Sequence, residues 1–152
     1  MNTESKKVII TGGSGFLGDY ISGWLLDRGF TVVSLDVAPP QKEEVAFVQK
    51  NMLTDDLADQ RLENPYAVIN LAGKNIFGRW TTEFKQAVYD TRVKGTENLV
   101  ELFANERFRP EVFVSASAAG DYGDRGNETL TTDRSCGEGF LATVSFDWDR
   151  KV

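Results

Sequence analysis

Three glycines at a fixed spacing constrain this chain more than anything else in it. The segment Thr11-Gly-Gly-Ser-Gly-Phe-Leu-Gly18 places Gly12, Gly15 and Gly18 directly after a β-branched run at residues 7–11 (KVIIT). After them, residues 16–27 carry Phe16, Leu17, Tyr20, Ile21, Trp24 and Leu25 at helical spacing. The run predicts a buried strand, and the stretch predicts a helix closed by Gly29. Each glycine then has its own physical role. Gly12 permits the tight turn, Gly15 lets the backbone approach a pyrophosphate, and Gly18 lets the helix pack close to the strand. Phosphates sit at such a helix start because free N–H groups and the helix dipole favour negative charge there. The spacing predicts a nucleotide site built from Gly12, Ser14, Gly15, Phe16, Leu17 and Gly18. The competing reading is a glycine turn that serves the fold only.

The remainder of the chain keeps alternating. Residues 31–35 predict a second strand, ended by the breaker Pro39-Pro40, and residues 45–48 a third. A short helix is expected after it, with Thr54 as N-cap and Asp55 and Asp56 in its first turn. Residues 67–71 (AVINL) and 112–115 read as the fourth and fifth strands. Between them lies a long helical stretch over residues 82–105, with Phe84, Val88, Val93, Leu99, Val100 and Phe103 available for one buried stripe. Residues 120–139 are polar and glycine-rich, and read as a flexible loop; residues 140–148 open a further helix. Strands that alternate with helices imply an α/β fold with a parallel sheet, and strands apolar on both sides fit a sheet covered on both faces.

Two segments bear on which nucleotide is held. Asp36 ends the second strand, where a carboxylate accepts hydrogen bonds from adenosine ribose hydroxyls and repels a 2′-phosphate. No arginine follows it, so NAD is favoured and NADP stays open as the second choice. An ordinary strand-end acid is the alternative. Asn51, Met52 and Leu53 follow the third strand, where an adenine ring would lie: the Asn amide can bond its edge while Met52 and Leu53 pack on its face. A simple loop is an equal alternative. Asp55, Asp56 and Asp59 read as solvated acids, not metal ligands.

Composition removes other classes. A net charge of −6 over 152 residues leaves no clustered basic surface for nucleic acid. Histidine is absent, which excludes a Ser-His-Asp triad, a Cys-His pair and an HExxH zinc site. A single cysteine, Cys136, excludes an internal disulfide or a multi-cysteine zinc site, and its surroundings suggest an inert thiol. The short apolar run before the glycines is neither a signal-peptide core nor a membrane span, so a cytoplasmic protein without membrane partners is expected.

Taken in order, the glycine motif, Asn70-Leu-Ala-Gly73, Tyr89-Asp-Thr-Arg-Val-Lys-Gly-Thr-Glu-Asn98 and Ser115-Ala-Ser-Ala-Ala-Gly-Asp-Tyr-Gly123 resemble the extended short-chain dehydrogenases/reductases. Arg79-Trp80, residues 93–100 and Phe140-Leu-Ala142 with Trp148 narrow the likeness to the sugar-nucleotide epimerase-like branch of the NAD-dependent epimerase/dehydratase family. The resemblance spans nearly the whole chain. It implies a Rossmann-type doubly wound parallel sheet of about five strands in the order 3-2-1-4-5, in three layers. It also implies a bound NAD(P), with Leu71, Ala72 and Gly73 beside the nicotinamide-side ribose. The family's catalytic serine falls on Ser117, and Tyr122 is the phenol nearest to it in sequence.

Three departures accompany the likeness. No tyrosine has a lysine four residues later, so the usual acid/base pair is missing, as it is in the narrower branch. The branch more often carries Thr-Arg where this chain has Asp36-Val37, and a tyrosine where Asp121 stands. Members of the family are longer chains whose second half supplies the last strands and most of the substrate pocket. The resemblance thus implies a 1–152 NAD(P)-binding domain with its substrate domain absent. In the intact protein it would serve hydride transfer at a carbonyl or alcohol carbon of a small molecule such as a nucleotide sugar. A non-catalytic NAD(P)-binding or redox-responsive module is the alternative. The open sheet edge suggests a homodimer; Lys74, Arg79 and Lys94 are candidates for binding a substrate phosphate or carboxylate, with solvated surface charge the commoner reading.

Overall fold

Ile9 and Ile10 are neighbours on one strand, point to opposite faces of the sheet and are both wholly buried. A layer of structure must therefore cover each face. The computed structural model describes residues 5–152. Its strands β1 (Lys7–Thr11), β2 (Thr31–Asp36), β3 (Ala46–Gln49), β4 (Ala67–Asn70) and β5 (Val112–Ser115) form one parallel sheet in the order β3-β2-β1-β4-β5. Val8 pairs with Val32 on one side and Ala67 on the other, so β1 is the centre.

Helix α1 (Phe16–Leu26) covers the face of Val8, Ile10, Val32 and Ala67, using Leu25, Ile21 and Leu26. Helix α2 (Thr82–Ala104) covers the face of Ile9, Val33, Val48 and Val68, using Leu99 and Phe103. These are the three layers and the strand order expected of a Rossmann-type fold. Thr81 caps α2 by accepting from the Phe84 amide at 3.2 Å. Helix α3 (Phe140–Asp149) packs on α2, where the Tyr89 hydroxyl donates to Asp147 at 2.9 Å.

The apolar residues of α1 divide: Ile21 and Leu25 pack on the sheet, while Phe16, Leu17, Tyr20 and Trp24 are exposed and Gly18 and Ser22 are buried. The reason is proximity. A Cβ on Gly18 would collide with the Gly12 carbonyl and stand 2.6 Å from the Gly13 Cα, so only small residues fit at the contact. One local expectation is corrected: the helix expected after the third strand does not form. Asn51 and Asp55 side chains instead accept from the Leu53 and Asn51 amides, at 2.9 and 2.7 Å, and compete with helical pairing. The chain runs on to a single 3₁₀ turn, Gln60–Leu62, that Asp59 caps through the Arg61 amide. Arg61 grips the Asp59 carboxylate and donates to the Phe47 carbonyl of β3, pinning the segment so that Leu57 and Leu62 reach the core.

β5 is one edge of the sheet. Its register with β4 puts Val112 and Val114 on the α1 face, where they are 43% and 49% exposed, because α1 spans β1 and β2 only. Residues 120–139 contain one short 3₁₀ turn, Ala119–Tyr122, at their start, and fold back through a Gly137 amide bond to the Asp121 carbonyl at 2.7 Å. No helix among the described residues is long and apolar enough to cross a membrane.

Leu62 is fully buried despite its irregular surroundings. Leu62→Ala is expected to lower the unfolding free energy by about 2–5 kcal/mol in urea titrations; a loss below about 1 kcal/mol would mean that the 51–62 segment does not seal the core. The hydrogen bonds from Arg61 hold the Asp59 carboxyl at about 2, against an ordinary 3.8. Its stabilising contribution is complete above the ordinary value and disappears as pH falls towards 2. Asp59→Asn should flatten this part of the acid limb in urea midpoints measured from pH 5 to 2, and an unchanged limb would remove the role given to Asp59.

Candidate functional site

In an open α/β sheet, the carboxyl ends of strands on either side of an order reversal diverge and leave a crevice. Here the reversal lies between β1 and β4. A groove of about 390 Å³ opens there, lined by Gly12, Ser14, Gly15, Asp36, Asn51, Met52, Leu53, Leu71, Ala72 and Gly73, with Leu35, Val37, Lys50, Lys74, Asn75 and Thr91. Every residue read as cofactor-binding is in this lining except Phe16, Leu17 and Gly18. Gly18 is buried in the contact beneath the loop, and the side chains of Phe16 and Leu17 turn to solvent. What Phe16 and Leu17 offer is the main chain of α1's first turn, which no side chain caps.

The glycine loop is shaped by close backbone approach. Gly12 has φ +70, and a Cβ there would stand 3.0 Å from the Ala72 backbone across the groove. The Gly15 amide donates to the Gly12 carbonyl at 3.0 Å, tightening the turn that starts α1. Behind the loop sits a buried polar network. The Thr11 hydroxyl donates to the Asn70 side-chain Oδ1 at 2.6 Å and accepts from the Leu71 and Ala72 amides at 3.2 Å. Asn70 in turn donates to Thr96 at 2.9 Å and Ser115 at 3.2 Å, and the Trp148 indole donates to Thr96 at 2.9 Å.

At the far end, Asp36 is held open towards the groove by four donors. Its Oδ2 accepts from the Ser14 amide at 3.1 Å and the Ser14 hydroxyl at 2.5 Å; its Oδ1 accepts from the Val37 and Ala38 amides. Asn51 spends its side-chain oxygen on the Leu53 amide, so only its amide nitrogen faces outward chemistry. Met52 is buried, with its side chain against Gly95 in the core, while Leu53 is half-buried.

The two residues read as catalytic lie outside the groove lining. Ser117 is exposed just past β5 and donates to Asp149 at 2.8 Å, and Tyr122 lies in the Ala119–Tyr122 turn. Of the three cations considered for an anionic ligand, only Lys74 reaches the groove; Lys94 is paired with Asp90 at 2.9 Å, and Arg79 is exposed outside the lining. Burial, aided by the neighbouring Asp121 carboxylate, pushes the Cys136 thiol pKa up, which suits an unreactive side chain. Thr91 and Arg92 are not legible in the sequence as site residues, because a helix period assigns them only to a half-buried flank. In the structure both reach the loop after β4.

The model of the NAD dependent epimerase/dehydratase family matches residues 8–144. The Epimerase family protein YfhF of Bacillus subtilis is 33% identical over 147 residues, covering 95% of this chain and 48% of that protein. A nucleoside-diphosphate sugar epimerase from Corynebacterium glutamicum superposes with a TM-score of 0.77 at 33% identity, over 97% of this chain and 30% of that one. MoeE5 in complex with UDP-glucose and NAD superposes with a TM-score of 0.81 at 22% identity, over 95% of this chain and 47% of that one. The chain thus spans about half the length of the curated relatives it matches.

Thr11 is the hinge of the buried network. Thr11→Val leaves the Ala72 amide and the Asn70 side-chain oxygen without their partner, while the Leu71 amide keeps its bond to the Thr11 backbone carbonyl at 3.2 Å; the change is expected to cost about 1–3 kcal/mol in chemical denaturation. A stability equal to that of the parent chain would show that water replaces the hydroxyl without loss.

Proposed function

The chain belongs to the NAD dependent epimerase/dehydratase family, and we propose that it is the cofactor-binding half of an NAD-dependent epimerase or oxidoreductase acting on a nucleotide sugar. The observation that carries this reading is the groove at the strand-order reversal, with a glycine loop on one wall and Asp36 at its end. The residues present fit a dinucleotide. The Gly12 and Gly18 positions have no room for a side chain, α1 starts without a side-chain cap, and Asp36 is already aligned by Ser14. Gly15 and the first turn of α1 would hold the pyrophosphate, and Asp36 the adenosine ribose. Asn51, Met52 and Leu53 would flank the adenine, and Leu71, Ala72 and Gly73 the nicotinamide-side ribose. The Asp36 carboxylate disfavours a 2′-phosphate, which supports NAD over NADP.

A bound nicotinamide supplies a hydride acceptor or donor at a carbonyl or alcohol carbon. The chain's own part is to orient the substrate: Tyr122, and Ser117 once its hydroxyl turns from the Asp149 carboxylate to which it now donates, would polarise the substrate oxygen. The nucleotide-sugar class rests on the Corynebacterium glutamicum relative named above. A second reading, a non-catalytic NAD(P)-binding module, is favoured by one observation: neither Ser117 nor Tyr122 lines the groove.

Calorimetric titration of the chain with NAD, NADH, NADP and NADPH, beside Gly15→Asp, tests the site. Binding that prefers NAD(H), and that the variant weakens by more than about tenfold through charge repulsion with the pyrophosphate, is expected. Absence of binding to all four nucleotides would sink the proposal. Hydride transfer with a nucleotide sugar by the longer protein, lost in Ser117→Ala, separates the enzyme from the binding module.

A further inference from the structure

The loop after β4 is tied down twice. Thr11 holds the Leu71 and Ala72 amides, and two successive residues of α2 hold Lys74. The Thr91 hydroxyl accepts from the Lys74 amide at 2.9 Å while donating to the Ala87 carbonyl at 2.8 Å. The Arg92 guanidinium donates through Nη1 to the Lys74 carbonyl at 2.8 Å and, more weakly, to the Val88 carbonyl at 3.4 Å. Both polar groups of the Lys74 backbone are therefore engaged from one helix turn. The guanidinium also lies against Gly73, where a Cβ would stand 3.0 Å from Arg92 Cζ, and 5.6 Å from the Trp148 ring of α3.

Arg92 is costly for a residue with packing alone to do. It forms no ion pair with a carboxylate among the described residues, and burial alone pushes its pKa down. A half-buried guanidinium without a counter-ion lowers stability unless what it holds repays the lost hydration. What it holds is a piece of the groove wall: Gly73, Lys74, Asn75 and Thr91 all line it.

We infer that Arg92, with Thr91, is a positioning residue for the nicotinamide end of the groove, fixing the Gly73–Lys74 backbone before a dinucleotide arrives. The inference rests on the reading of the groove as a dinucleotide site. It assigns Arg92 no contact with the reacting atoms. Its effect is expected on one half of the ligand, because Asp36 and Ser14, which serve the other half, bond to each other and share no hydrogen-bond partner with Thr91 or Arg92.

That confinement gives the test. ADP fills only the adenosine and pyrophosphate part of such a site, whereas NAD fills all of it. The chain, Arg92→Ala, Arg92→Lys and Thr91→Val are titrated with both nucleotides by calorimetry. NAD should bind the parent more tightly than ADP. Arg92→Ala should weaken NAD by about tenfold and ADP by less than about twofold. Arg92→Lys, which keeps a donor for the Lys74 carbonyl, should recover part of the NAD affinity. Thr91→Val, which keeps the guanidinium, should repeat the split, so that a failure of Arg92→Ala to fold leaves an independent arm. ADP binding is the folding control in each variant. Equal losses for both nucleotides, no loss for either, or equal affinity of the parent for NAD and ADP would overturn the positioning role alone. Absence of binding by the parent to either nucleotide would remove the cofactor reading and this inference with it.

Discussion

Where β1 ends, the hydroxyl of Thr11 is buried among groups from both sides of the strand-order reversal, and the two walls of the groove meet through it. It donates to Asn70 at the end of β4 and receives the next two amides of that chain segment. Asn70 passes the connection to Thr96 in α2 and Ser115 in β5, and Trp148 brings α3 to the same Thr96 oxygen. A buried polar group without a partner costs about twice what a satisfied one contributes. The network is therefore effective because it is complete: the amide of Asn70 uses both its donor and its acceptor. Its position ties the end of β1 to the first two residues after β4, Leu71 and Ala72, while Gly73 and Lys74 lie beyond its reach.

The same closeness explains an apparent inconsistency in α1. A helix rich in large apolar residues leaves four of them exposed and buries Gly18 and Ser22 beside Leu25. The glycine turn brings the first turn of α1 so near the loop that Gly18 leaves no space for a methyl group. Burying Phe16 or Tyr20 at that contact would lift the helix start away from the groove. Apolar burial is yielded there so that the helix start stays beside the groove.

Much of this is readable from residue order. β-branched runs mark the strands, and Asp36 and the three glycines mark the ends of the groove, because local conformation and chemistry are written in a few adjacent residues. The exposure of Phe16, Leu17, Tyr20 and Trp24 is not legible, because periodicity records which residues are apolar, not how much room the neighbour leaves. The 51–62 segment is misread because Thr54, Asp55 and Asp56 look like a helix start, while the Asn51 and Asp55 side chains turn the backbone aside. Thr91 and Arg92 are legible only as part of a motif. Their partners lie 17 and 18 residues away on a loop whose path no spacing rule supplies.

The central position of β1 also sets an order of assembly. Its first partner, β2, follows after one helix, but its second partner, β4, pairs Ala67 with Val8 across most of the first half of the chain. A chain emerging from its N-terminus can complete β3-β2-β1 while the other edge of β1 is still bare. The sheet then extends in the opposite direction with β4 and β5, and the Asn70 network closes only when α2 and α3 have arrived. Along that path of synthesis the crevice is a seam between the part of the sheet that can form early and the part whose partners emerge later.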